Sequence, residues 1–267
     1  MRRLMLIALS AIAVYAGFLA CLFLFQRTLL YHPSGDRPDP AAYGVPDLEQ
    51  ISVETQDGLK LLAWYRPAAA GRQTILYLHG NGGHIGHRGG KVRAYLDAGY
   101  GLLLLSYRGY AGNPGKPTEE GLYADGDAAM AFLAGTGVQS SRVVLYGESL
   151  GTGIAIELAT KYDVNAAVLE APYSSIPDVA QHHYFYMPVR YLVCDRFDST
   201  EKIARVEEPI LVVHGGKDRV VPMKFGKKLF DTAREPKSFL QLATAGHNDL
   251  YNFGVAAKVI DFMRKYQ

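Results

Sequence analysis

Short apolar runs recur along the chain at Thr74–Leu78, Gly101–Ser106, Arg142–Tyr146, Ala166–Glu170, Ile210–Val213 and Ser238–Leu242. A strand buried on both faces reads as such a continuous run, whereas a half-solvated strand alternates. Helix-length stretches separate the runs, among them Glu119–Leu133, Gly151–Lys161, Lys224–Thr232 and Tyr251–Tyr266. Strands alternating with helices build βαβ units, and these imply a mostly parallel central sheet with helices on both faces. An α/β fold is therefore expected. Upstream, Gln50–Thr55 and Leu59–Tyr65 flank Asp57-Gly58, a hairpin signal. The stretch from 172 to 209 is long for a strand-to-strand connection. It carries Pro172, Pro177, Pro188 and Pro209 and many aromatics, and is expected to form a small helical cap.

The N-terminus obeys different physics. Leu4 to Gln26 contains no charged side chain, and only Ser10, Gly17 and Gln26 fall outside the hydrophobic set. At 1.5 Å per residue the run makes roughly 34 Å of helix, enough for a bilayer core of about 30 Å. A cleaved signal peptide has a shorter apolar region ending in small residues, whereas this run ends in Leu22-Phe23-Leu24-Phe25. A lipidated Cys21 would ordinarily lead into polar residues, and apolar ones follow. An uncleaved single-pass anchor over 1–27 fits best, then a Pro-rich connector over 28–48 and a domain over 49–267. Arg2, Arg3 and the terminal amine outnumber Arg27, so the N-terminus is expected inside and the domain on the non-cytoplasmic side, the periplasm in a bacterium.

Composition then excludes several classes. With 20% charged and 49% hydrophobic residues, the chain is not disordered. Its two cysteines, Cys21 and Cys194, make neither a disulfide scaffold nor a paired metal motif, and both are read as free thiols. A net charge of +2 is too weak to argue for nucleic acid. Residues 1–27 hold three Arg and no acid, so the remainder carries 25 basic and 26 acidic residues. The positive balance belongs to the membrane end.

The chemistry gathers at expected strand ends. Gly147-Glu148-Ser149-Leu150-Gly151 follows an apolar run and precedes a helical stretch. In that context the pentapeptide reads as a nucleophile elbow, a strained turn that pushes the serine hydroxyl out of the sheet edge; the bland reading is a glycine turn whose serine caps a helix. Gly153 is expected to let the helix pack close to its strand. A serine nucleophile needs a base, and the base an orienting carboxylate. Asp218 follows the run at Ile210–Val213, and His247 lies in Ala245-Gly246-His247-Asn248-Asp249 after the last one. Among eight histidines, His247 stands out by its place in the order Ser, Asp, His. Glu170 is the one serious substitute for the acid, ahead of Asp195, Asp198 and Asp249. The His79-Gly80-Asn81-Gly82-Gly83 loop would bring backbone N–H groups to an oxyanion, with Asn81 and Leu150 as donors. It has neither a P-loop ending nor GxGxxG, so no nucleotide cofactor is expected, and the chemistry needs no metal.

Five segments in order, HGNGG, SYRGYAGNPGKPTEEGLYADGDA, GESLG, HGGKDRVVP and AGHND, resemble the α/β-hydrolase superfamily from about Glu49 to the C-terminus. Tyr107-Arg108-Gly109-Tyr110 and Gly121-Leu122-Tyr123 resemble the membrane-anchored bud-emergence-type hydrolases, the group related to protein depalmitoylases. The resemblance implies the α/β-hydrolase fold, with Ser149 as nucleophile, Asp218 as acid, His247 as base, and Asn81 and Leu150 as oxyanion donors. One departure is visible. The eukaryotic depalmitoylases carry an N-terminal cysteine cluster, and this chain has a single Cys21 inside an apolar run.

The resulting expectation is a serine hydrolase of carboxylic esters or thioesters. Its substrate would be a small-molecule or lipid-like acyl compound, or an acylated protein. The alternatives are a serine peptidase or amidase of the same fold and a catalytically silent membrane-tethered binding module. Glu148 is read as a structural carboxylate, Arg108 with Asp125 or Asp127 as a structural ion pair, and Arg190 and Arg196 as solvated. The aromatic stretch His182–Met187 is read as cap packing or, alternatively, the lining of an acyl groove.

Overall fold

A computed structural model describes all 267 residues. Helix α1 (Arg2–Leu30) stands out from the domain with no buried residue and is long and apolar enough to cross a membrane. It runs past Gln26, because Arg27 through Leu30 keep helical geometry until Tyr31 turns extended.

The strands are β1 (Glu49–Glu54), β2 (Lys60–Arg66), β3 (Thr74–Leu78), β4 (Gly101–Leu105), β5 (Val143–Glu148), β6 (Ala166–Glu170), β7 (Ile210–Gly215) and β8 (Lys237–Leu242). They form one sheet in the order β8-β7-β6-β5-β3-β4-β2-β1. Only the β1–β2 hairpin and its junction with β4 are antiparallel; the other pairs are parallel. The apolar runs were long enough for both faces. In β3, Leu76 and Leu78 enter one core while Ile75 and Tyr77 enter the other, and β4 divides its leucines the same way.

Helices α3 (Glu119–Gly135), α4 (Gly151–Ala159) and α7 (Met223–Thr232) cover the first core. The second is covered by α2 (Gly89–Asp97) and α8 (Val255–Lys265). Helix α8 begins four residues after Tyr251, since Leu250–Phe253 form a 3-10 turn closed by left-handed Gly254. Two short helices, α5 (Ile176–His183) and α6 (Ser199–Ile203), lie in the 172–209 insertion. The connector is not loose. His32–Pro33 pairs in parallel with Gly82–Gly83, and Pro40–Tyr43 forms a 3-10 turn capped by Asp39.

Candidate active site

The carboxyl ends of β3, β5, β7 and β8 open on one edge of the sheet, where α/β folds place their ligands. Strand β5 ends at Glu148 and α4 begins at Gly151, so Ser149 sits in the turn between them with φ = 50°. That is the left-handed region, uncommon for a residue with a Cβ. The turn is held open from several sides. Ser149 N–H donates to the Glu170 carbonyl at 2.8 Å, and its carbonyl accepts from Thr152 Oγ1 at 2.6 Å. Glycine is required on both flanks. A Cβ at Gly147 would lie 2.6 Å from Thr152 Cα, and one at Gly151 would overlap the Leu78 carbonyl oxygen.

Strand β7 delivers Asp218 and β8 delivers His247 to the same place. His247 Nε2 lies 3.0 Å from Ser149 Oγ, and His247 Nδ1 lies 2.7 Å from Asp218 Oδ2. The Asp218 side chain is fully buried, and that of His247 is 11% exposed. Asp218 Oδ1 accepts the N–H groups of Val220 and Val221 at 2.9 and 2.8 Å. Burial works to raise its pKa, but hydrogen bonds from His214, His247 and the Val221 backbone outweigh it and hold the carboxyl well below the usual range. A hydroxyl bonded to an imidazole, itself oriented by a buried carboxylate, is an arrangement that generates an oxygen nucleophile. The backbone N–H groups of Asn81 and Leu150 donate to no protein acceptor. The peptide bearing the Leu150 N–H is held through the Ser149 carbonyl by Thr152 Oγ1, and the next one by Tyr173, whose hydroxyl donates to the Leu150 carbonyl at 3.1 Å.

The competing acids are spent elsewhere. Glu170 accepts Lys91 Nζ and the Tyr146 hydroxyl, both at 2.7 Å. Asp195 pairs with Arg27, Asp198 with Arg196, and Asp249 accepts the Gly246 N–H in the loop that carries His247. Glu148 lies beneath the elbow, bonded to the Arg88 guanidinium and the Tyr77 hydroxyl. Burial works to raise its pKa, but Arg88 and Lys91 hold it ionised. Burial pushes Glu170 up, and the Glu148 charge beside it adds to the shift.

Comparison with known proteins follows the same lines. Residues 69–200 match the family described as serine aminopeptidase, S33. An uncharacterized protein of Mycobacterium tuberculosis is 38% identical over 251 residues, 93% of this chain and 89% of that protein. The human alpha/beta hydrolase domain-containing protein 17B is 30% identical over 218 residues, 78% of this chain and 72% of that protein. The chain belongs to the α/β-hydrolase family. An esterase from Pyrococcus furiosus shares the fold with a TM-score of 0.69 at 16% identity, over 89% of this chain and 98% of that one. An alpha/beta hydrolase from Vibrio vulnificus does so with a TM-score of 0.69 at 21% identity, over 81% of each.

The expected Arg108 ion pair forms with the first of its two candidates, and other residues of this α/β-hydrolase enzyme depart from expectation or were missed. Arg108 pairs with Asp125 and Asp57, whereas Asp127 pairs with Lys161, because one α3 carboxylate is buried and the other faces out. Gly153 does not bring α4 against its strand; a Cβ there would meet the Tyr173 hydroxyl and the Phe197 ring. His214 had no local mark beyond ending a strand, yet its Nε2 donates to the Val221 carbonyl at 2.8 Å and lies 3.4 Å from Asp218 Oδ2. Tyr173 and Glu170 support the elbow from the end of the neighbouring strand and the turn beyond it, which no short motif reports.

Proposed function

We propose that this hydrolase is a membrane-anchored serine esterase or thioesterase working through an acyl-enzyme. The observation that carries the reading is the continuous path from Ser149 Oγ through His247 to Asp218, at 3.0 and 2.7 Å. Ser149 Oγ forms a bond to the acyl carbon as His247 Nε2 takes its proton, and the carbonyl electrons move onto the oxygen. The N–H groups of Asn81 and Leu150 receive that oxyanion. Asp218 holds the imidazole's orientation and balances its charge. The tetrahedral centre collapses, the bond to the leaving oxygen or sulfur breaks, and His247 returns the proton to it. Water then repeats the sequence and releases the acid.

In this reading residues 1–27 anchor the chain, 28–48 connect, and the 172–209 insertion caps the site. The domain faces the non-cytoplasmic side, since the arginines before α1 favour the cytoplasmic face. The family's aminopeptidase description favours one second reading, an amidase of the same machinery.

The test is labelling of the full-length protein with a fluorophosphonate probe, followed by turnover of p-nitrophenyl esters and aminoacyl p-nitroanilides. Wild type is expected to label and to hydrolyse the esters, and Ser149→Ala to do neither. Equal labelling of both proteins would refute the serine-hydrolase reading, and turnover confined to anilides would favour the amidase.

A further inference from the structure

The exit of α1 is built into the domain beside the site. Gln26 accepts the Cys194 N–H at 2.7 Å and donates to the Leu192 carbonyl at 3.1 Å. The Arg27 guanidinium donates twice to Asp195, at 2.8 and 3.1 Å. One turn further, the Leu30 carbonyl accepts Asn81 Nδ2 at 2.9 Å, and His32 N–H donates to the Asn81 carbonyl at 3.0 Å. The membrane helix is thus fastened both to the cap and to the loop assigned above to the oxyanion.

Between these attachments lies a groove of about 160 Å³. One wall is α1, with Leu22, Phe23 and Leu30; the other is the cap, with Ile176, Ala180 and Tyr184. The groove's only charged or amide side chains are Gln26, Arg27 and Asp195, and these are engaged in the clamp. The Tyr184 hydroxyl, on a residue exposed at the cap surface, is the one other polar group of the walls, so an apolar ligand forfeits little hydrogen bonding by entering. The two ends differ. Leu22 and Phe23 belong to the uncharged span, whereas Leu30 lies roughly 12 Å along the helix axis and is bonded to Asn81. Tyr184, Phe185, Tyr186 and Tyr191 are exposed on the cap, and aromatics of this kind settle at the level of lipid headgroups.

We propose that this groove holds the alkyl chain of a membrane-borne acyl ester or thioester, so that the membrane helix forms one wall of the acyl site and helps set chain-length preference. The proposal rests on Ser149 being the nucleophile. In this proposal the chain lies between α1 and the cap, with its carbonyl end toward Leu30, whose carbonyl is bonded to Asn81.

The full-length protein in phosphatidylcholine nanodiscs tests this with two variants. Ala180→Phe fills the groove from the cap side, and Phe23→Ala removes a wall on the α1 side. For each, kcat/KM is measured on p-nitrophenyl butyrate and palmitate, alongside the rate of labelling by a small fluorophosphonate. Both variants are expected to lose about tenfold or more on palmitate, while butyrate turnover and labelling stay near wild type. A palmitate-to-butyrate ratio unchanged in the variants that still label overturns the groove and leaves the serine reading intact. Failure of the wild type to label removes that reading instead. If one variant loses labelling by misfolding, the other decides.

Discussion

The elbow and the α1–cap junction both border the site, and they are built in opposite ways. At the elbow, two glycines are crowded by backbone atoms of β3 and α4, and the Ser149 N–H and carbonyl both have a local or next-strand partner, while the Leu150 N–H is left free. At the junction, Gln26 and Arg27 reach residues 168 positions away through side chains, half-exposed on the Arg27 side and buried on the Asp195 side. Backbone crowding leaves one conformation available. Long-range side-chain bonds of the second kind hold a position at modest energy and allow it to yield. Under the proposed function, the first would suit an atom that must sit within a few tenths of an ångström of its base, and the second a wall that admits alkyl chains.

The contrast is broken most strongly at the strand ends. Asp218→Asn keeps the shape of the side chain but removes the charge facing His247, and is expected to lower kcat by about 10³- to 10⁴-fold with little change in fold, read by ester turnover and circular dichroism. Gly151→Ala should act through structure instead. The added Cβ overlaps the Leu78 carbonyl, and a loss of about 3 kcal/mol or more is expected in thermal denaturation, with fluorophosphonate labelling falling in step.

The buried carboxylate of helix α3, away from both regions, has its own pH signature. Burial pushes Asp125 up to about 6 against the pull of the Arg108 backbone and guanidinium. An ordinary aspartate titrates near 3.9, so the folded chain keeps this proton to higher pH than the unfolded one. The stabilisation from that proton is complete below about pH 4 and gone above about pH 6. On going from pH 7 to pH 4, wild type should gain about 2–3 kcal/mol relative to Asp125→Asn, visible as a narrowing or reversal of their melting difference.

The smallest effect is expected at the junction. Arg27 is half-exposed and Asp195 keeps the Glu119 N–H, so Arg27→Gln should cost about 1–2 kcal/mol, with butyrate turnover within about threefold of wild type. A loss as large as that of Gly151→Ala would show the junction to be as rigid as the elbow.

Legibility in the sequence followed the same division. The strand runs were readable because burial on both faces leaves no polar position, and Thr74–Leu78 and Ala166–Glu170 have the expected ends. Ser149, Asp218 and His247 were readable because each lies just beyond a strand, and parallel strands bring such positions to one edge. Helix α2 was not, since Gly89-Gly90 and Lys91, Arg93 and Asp97 dilute its apolar stripe of Val92, Tyr95 and Leu96. The partner of Arg108 was narrowed to two α3 carboxylates but not decided, because Asp125 and Asp127 differ only in which face of the helix is buried.

Taken alone, the sequence determined whatever depends on neighbours along the chain: the apolar span, the alternation of strands and helices, the elbow, and the order of the three candidate residues. Tertiary structure alone decided which polar groups meet. It placed Lys91 and Tyr146 on Glu170, His214 beside Asp218, and Gln26, Arg27 and Leu30 against the cap and the Asn81 loop. The reason is physical. Apolar burial is non-directional and shows as periodicity, whereas a hydrogen bond needs two atoms within about 3 Å, and only the packed chain brings residues 26 and 194 that close.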